Sequence, residues 1–71
     1  MEDFFGKNIK QERELANVTI AEMAKKTGLA EHVLVSIEEG KIFPNINHLM
    51  KIARVLNKHD GYFLTKFVYK K

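Results

Sequence analysis

Cysteine is absent from the 71 residues, so neither a disulfide nor a thiolate metal site can staple the fold. A chain this short buries a smaller share of its surface than a larger domain does, and oligomerisation is the expected source of further stability. No apolar run approaches the roughly 20 residues of a membrane helix, and the N-terminus lacks the basic-then-apolar order of a signal peptide. With a cysteine-free composition that suits a reducing compartment, this leads to the expectation of a soluble cytoplasmic protein with no membrane partner. Glycine-rich phosphate loops are missing too, and no nucleophile stands in a recognisable constellation with a base. Neither His48 nor His59 has a carboxylate or a second histidine at i+4, so metal-ligand spacing is lacking and both are expected to be solvated or capping residues. An enzyme, a cofactor and a bound metal are therefore not expected. Repeats, linkers and low-complexity tracts are lacking as well, which leaves one domain over 1–71. The charge excess is small, +3 with a pI near 9.3, and permits a polyanionic partner without requiring one.

What is present centres on the stretch from Thr19 to Pro44. Thr19 followed three residues later by Glu22 is a capping box, in which hydroxyl and carboxylate each satisfy a backbone N–H left open at a helix start. Ile20, Met23, Ala24 and Thr27 then fall at i, i+3, i+4 and i+7 as one inward stripe, while Glu22, Lys25 and Lys26 point away. Gly28 ends this helix because glycine enters the left-handed region freely. A second helix follows, with Leu29 at its start, Val33, Leu34 and Ile37 as apolar positions and Gly40 as its stop. Upstream, Phe4 and Phe5 are expected to pack on the bundle or on a second subunit. A first helix is expected over Lys7 to Ala16, with Ile9, Arg13 and Ala16 on the face of Phe5, Asn17 as its left-handed stop and Val18 stapling the next helix.

These features resemble the helix-turn-helix of the phage-repressor-like family, the Cro, CI and XRE-type regulators. Ala24 stands at the close contact between the two helices, and Gly28 is the turn glycine four residues later. Ile37, Glu38, Glu39, Gly40 and Lys41 match the tail of the family's recognition helix, Pro44 follows at the expected distance, and Leu49, Lys51, Ile52, Ala53 and Leu56 match its next helix. The resemblance runs from about Ile9 to Leu64. It implies an all-α, compact four- to five-helix bundle, an ion pair between Arg13 and Glu38 that ties the first helix to the third, and double-stranded DNA as partner. It further implies a homodimer that presents two third helices to an inverted-repeat operator.

In the family the third helix, here roughly Glu31 to Glu39, lies in the major groove. The expected base-contacting residues are then Glu31, His32, Val35 and Ser36, with Val33 at the margin: a carboxylate can accept from cytosine, an imidazole can donate to guanine, and valines can touch thymine methyls. This is where the chain departs most from the family, whose members place Arg, Gln, Ser or Thr at such positions. Ile20 also replaces the family's glutamine, and Ala30 removes the Ser or Thr cap expected before the third helix. The expected phosphate-contacting residues are Lys41, Asn45, Asn47 and Lys10, with Asn45 as N-cap of a fourth helix over Ile46 to Leu56. Lys25 and Lys26 are better read as solvated. An outer face of Glu-His-Val-x-Val also fits the alternative of a protein-binding module that has lost DNA, and an antitoxin-type regulator binding both a toxin and its own promoter is a further one.

The C-terminus leaves two alternatives open. Asp60 can cap a fifth helix that carries Phe63, Leu64 and Phe67 on one face, or the aromatic and β-branched stretch from Tyr62 to Tyr69 can form a dimer-pairing strand. The helix is preferred, and in both cases Phe63, Leu64, Phe67 and Tyr69 are the dimer candidates within a segment of about 60–69. Met50, Ile42 and Phe43 are expected to be partly exposed.

Overall fold

The computed structural model describes residues 4–63, apart from the side chain of Phe4. Leu64, Phe67 and Tyr69, three of the four expected dimer residues, lie outside the described residues. The fold is all-α: among the described residues four helices follow in order, α1 (Phe4–Leu15), α2 (Ile20–Thr27), α3 (Glu31–Glu38) and α4 (Ile46–Val55). Helix α3 packs against both α1 and α2, and α2 also packs against α4. No helix among these residues is long and apolar enough to cross a membrane.

The helix boundaries follow from local chemistry. At the start of α2 the Thr19 hydroxyl accepts from the Glu22 N–H at 3.0 Å, and the Glu22 carboxylate accepts from the Thr19 N–H at 2.9 Å. That backbone bond holds the Glu22 carboxyl below its ordinary pKa, so its contribution is present above the ordinary carboxylate pKa and fades as pH falls through the lowered one. At its end, Gly28 adopts φ 81° and donates to the Ala24 carbonyl at 2.8 Å. The buried Thr27 hydroxyl donates to the Met23 carbonyl at 2.7 Å and accepts from the Leu29 N–H at 3.2 Å, so the turn into α3 leaves no buried hydroxyl unpaired. Helices α1, α3 and α4 share another closure: Asn17, Gly40 and Asn57 take positive φ, and the N–H after each reaches back five residues to Glu12's neighbour Arg13, to Ser36 and to Ala53.

One core unites the helices. Ile9 from α1, Met23 from α2, Leu34 and Ile37 from α3, Leu49, Ile52 and Ala53 from α4, and the following Leu56 and Phe63 are all buried. Above it Arg13 forms a forked ion pair with Glu38, Nε to Oε2 at 2.7 Å and Nη2 to Oε1 at 3.1 Å, while Nη1 donates to the Val18 carbonyl at 2.8 Å. The hydrogen bond to Glu38 raises the Arg13 pKa, so the guanidinium stays charged. The chain beyond α4 is stitched back to α1 where the Tyr62 hydroxyl donates to Glu12 at 2.8 Å, beside Lys58.

Several expectations need correction. Helix α1 begins at Phe4, three residues before the expected start, because the partly buried Phe5 packs against the core and compensates the poor helix propensity of the buried Gly6. Ala16, expected on the inner face, is exposed. Phe63, expected at a dimer surface, is fully buried in the core of its own chain. The Asp60 carboxylate, expected as a cap, accepts instead from Arg54 Nε at 2.8 Å and Nη2 at 2.7 Å, which also lowers its pKa, and most of the helix that it was expected to cap lies outside the described residues. Tyr62 and Phe63 are helical, in keeping with the preferred helix at this point. His48 is neither solvated nor a cap; it is half-buried, its Nδ1 has no hydrogen-bond partner among the described residues, and the cap of α4 is Asn45. His59 is exposed and meets Tyr62 edge to face.

Three stability outcomes follow. Arg13→Ala or Glu38→Ala, each leaving a largely desolvated charge alone, is expected to lower unfolding free energy by about 3–5 kcal/mol in urea titrations. A methyl at Gly28 would meet no atom within 4 Å, so Gly28→Ala should cost only the backbone penalty of about 1–2 kcal/mol, with Gly28→Asn milder. Ala30 has the extended backbone of an N-cap, φ −68° and ψ 149°, without a side-chain bond; Ala30→Ser should raise the melting temperature through a gain of about 1 kcal/mol.

Candidate nucleic-acid interface

Helix α3 divides its eight residues between two tasks. Leu34 and Ile37 enter the core, and Glu38 is held by Arg13. Of the expected base-contacting residues, Glu31, His32 and Val35 are exposed, whereas Ser36 is half-buried near the end of the helix. Val33 is partly buried against the core, at the margin as expected. The Ser36 carbonyl accepts from the N–H of Lys41 at 2.8 Å and from that of Ile42 at 3.4 Å, so the chain turns sharply out of α3 at this residue. A ridge of carboxylate, imidazole and methyl groups is thereby presented on a rigid support.

The expected phosphate-contacting residues separate into two places. Lys41, Asn45 and Asn47 follow one another along the exposed edge that joins α3 to α4. Lys41 pairs with Glu39 at 3.2 Å, both well exposed, a contact that water and salt weaken and a stronger anion can displace. The exposed Asn45 accepts the His48 N–H at 2.8 Å through its carboxamide oxygen, at the helix start where the first N–H groups of α4 lack helical partners. Lys10 stands apart from these, on α1, lining a groove of about 550 Å³ with Glu14, Glu38 and Glu39. The carboxylates around it reduce the attraction that Lys10 can exert on a phosphate.

Sequence reasoning missed one feature of this edge. Ile46 continues the inward stripe of Leu49, Ile52 and Ala53 by three-residue spacing, yet it is 58% exposed. It is the first residue of α4, one turn before the buried Leu49. Ile42 is 43% exposed, in keeping with the partial exposure expected of it, whereas Phe43 at 81% goes well beyond it. The signal available in the sequence was the run Ile42, Phe43, Pro44, Asn45, Ile46, apolar but interrupted by helix-start residues.

Comparison with known proteins adds the wider context. The profile of the family described as Helix-turn-helix matches residues 9–63. An uncharacterised HTH-type transcriptional regulator of Archaeoglobus fulgidus is 41% identical over 49 residues, which are 69% of this chain and 69% of that protein. A second, from Methanocaldococcus jannaschii, is 37% identical over 46 residues, 65% of this chain and 70% of its own. Among solved structures, a chain of the SinR protein/SinI protein complex superposes with a TM-score of 0.78 at 33% identity, covering 89% of this chain and 62% of that one.

Proposed function

This chain belongs to the helix-turn-helix family of XRE type, whose members here are transcriptional regulators, and on that premise we propose that it binds operator DNA sequence-specifically as a homodimer and acts as a repressor. The single observation that carries the proposal is the division of labour in α3: Leu34, Ile37 and Glu38 anchor it, and Glu31, His32, Val35 and Ser36 stand on or near its outer side. With α3 in the major groove, Glu31 accepts from a cytosine amino group, His32 donates to a guanine edge and Val35 meets a thymine methyl. Lys41, Asn45 and Asn47 hold the flanking phosphates, where contacts position the protein without reading sequence. Two-fold symmetry in the protein then asks for an inverted repeat with half-sites roughly 10 bp apart, or a multiple of that. Repression requires nothing more than occupancy of such a site. The cytoplasm is the compartment in which the protein would meet DNA.

A second reading draws on two observations. The outer side of α3 carries no lysine or arginine, and the structural neighbour comes from a complex of two proteins. On that reading the ridge of Glu31, His32 and Val35 binds a protein partner, either with DNA binding lost or, as in an antitoxin-type regulator, with DNA binding kept alongside.

Selection of duplexes from a random pool, followed by titration against a scrambled duplex over a range of salt, separates the two. Enrichment of an inverted repeat with a specificity ratio above roughly 10³ supports the regulator, while weak binding that any duplex satisfies supports the protein module. In the first case Lys41→Ala is expected to weaken binding to every sequence and to reduce the salt slope by about 1. Asn47→Ala should also weaken binding uniformly. His32→Ala or Ser36→Ala should instead change which base is preferred at one position of each half-site, read by repeating the selection.

A further inference from the structure

Two adjacent carboxylates close α3 and are used differently. Glu38 is clamped by Arg13 with 7% of its side chain exposed, whereas Glu39, the C-cap of the helix, keeps 53% exposed and reaches the Lys41 ammonium at 3.2 Å. Resting on the regulator reading above, we propose that Glu39 is a positioning residue for DNA affinity: it competes with phosphate for the lysines beside it, and so holds binding to every duplex down without choosing among sequences.

Local physics sets a carboxylate at this place against the stability of α3. The last carbonyls of a helix carry partial negative charge, which repels a carboxylate and attracts a lysine or arginine. The last turn of α3 holds no basic residue, and Glu38 and Glu39 stand there side by side. The hydrogen bond that Glu39 contributes to closing the helix comes from its backbone N–H, which donates to the Val35 carbonyl at 2.9 Å; any residue but proline can make it. At its exposure the side chain gains little from burial. A residue that breaks a local rule without a compensating contact in the fold points to function.

The surroundings supply that function. On one side Lys41 begins the edge that runs to α4. On the other, Lys7 and Lys10 of α1 line with Glu39 the groove of about 550 Å³. Lys41 and Lys10, the two lysines assigned to phosphate, stand apart from each other, and Glu39 adjoins both. When Lys41 exchanges Glu39 for a phosphate, the exposed ion pair is given up, and the carboxylate left behind repels the phosphate that has replaced it. Both effects lie within a Debye length and act at the DNA backbone, which is charged alike in every sequence. Non-specific binding rests almost wholly on that backbone. The base contacts of α3 are untouched, so absolute affinity falls while the ratio between a specific and a random site stays.

The test uses the intact chain with two duplexes, the one enriched from a random pool and a scrambled one, at roughly 50 mM and roughly 200 mM salt. Glu39→Gln removes the charge and keeps the shape. It is expected to tighten both duplexes by at least about threefold at the lower salt, to leave the ratio between them within about twofold of the wild type, and to gain less at the higher salt. Because Glu39 acts through Lys41, the same substitution in a Lys41→Ala background should keep less than about half of that gain. Urea titration should find Glu39→Gln as stable as the wild type or more so, which a residue serving the fold would not allow. Unchanged or weaker binding by Glu39→Gln, a gain confined to one duplex, a full gain without Lys41, or a loss of stability would each overturn the proposal. If the wild-type chain enriches no duplex, the DNA reading fails and takes this one with it; enrichment by the wild type with no gain in Glu39→Gln sinks this one alone.

Discussion

The forked contact between Arg13 and Glu38 is the constraint on which the rest of the structure leans. It joins the end of α1 to the end of α3, residues 25 apart in sequence, and its third hydrogen bond reaches the Val18 carbonyl just before α2. Three elements are thus positioned by one guanidinium. The planar fork suits this task because two parallel N–H groups specify the orientation of a carboxylate as well as its distance. With the pair largely removed from water, the charges gain from each other, and each depends on the other to offset its desolvation. The gain is one of geometry: α3 is held against α1 at the end opposite its own weak start.

Helix α3 needs that support. It has eight residues, two β-branched valines and no side-chain cap at Ala30, well short of what holds an isolated helix together in water. Its stability comes from Leu34 and Ile37 in the core, from Glu38 in the ion pair, and from the Thr27–Gly28 turn that delivers the chain to it. The same arrangement frees the opposite side, since residues committed to neither core nor clamp have no structural demand upon them. A rigid helix with an uncommitted face is what sequence readout requires, because a side chain that must first order itself loses binding free energy in doing so.

Much of this was legible from residue chemistry alone. Thr19 with Glu22, Gly28, Asn17 and Asn45 are local signals whose partners lie within four residues, and each performs the local task its chemistry prescribes. The pairing of Arg13 with Glu38 was accessible through resemblance rather than through spacing, because nothing local brings two residues 25 apart together. Errors arose where an element meets the edge of the body. Phe63 reads as a candidate for a dimer surface, but the Tyr62 bond to Glu12 draws it onto α1 and into the core. Ile46 shares the apolar spacing of Leu49 and Ile52, but at the first position of α4 it is exposed while they are buried. Asp60 reads as a cap, but a bidentate arginine six residues earlier, at the end of α4, holds both its oxygens.

By itself, then, the sequence determined where α2, α3 and α4 start and stop, because hydrophobic period, caps and left-handed stops act over a few residues, while the all-α class and the residues that α3 carries outward were legible through the family resemblance. Only the tertiary structure decided which apolar residues are core and which are surface at the ends of elements, where α1 begins, and which polar groups share an edge. Those are questions of what lies on the other side of a side chain. The exposed Phe43 and Ile46 and the buried Phe63 have much the same apolar character in the sequence, and packing alone tells them apart.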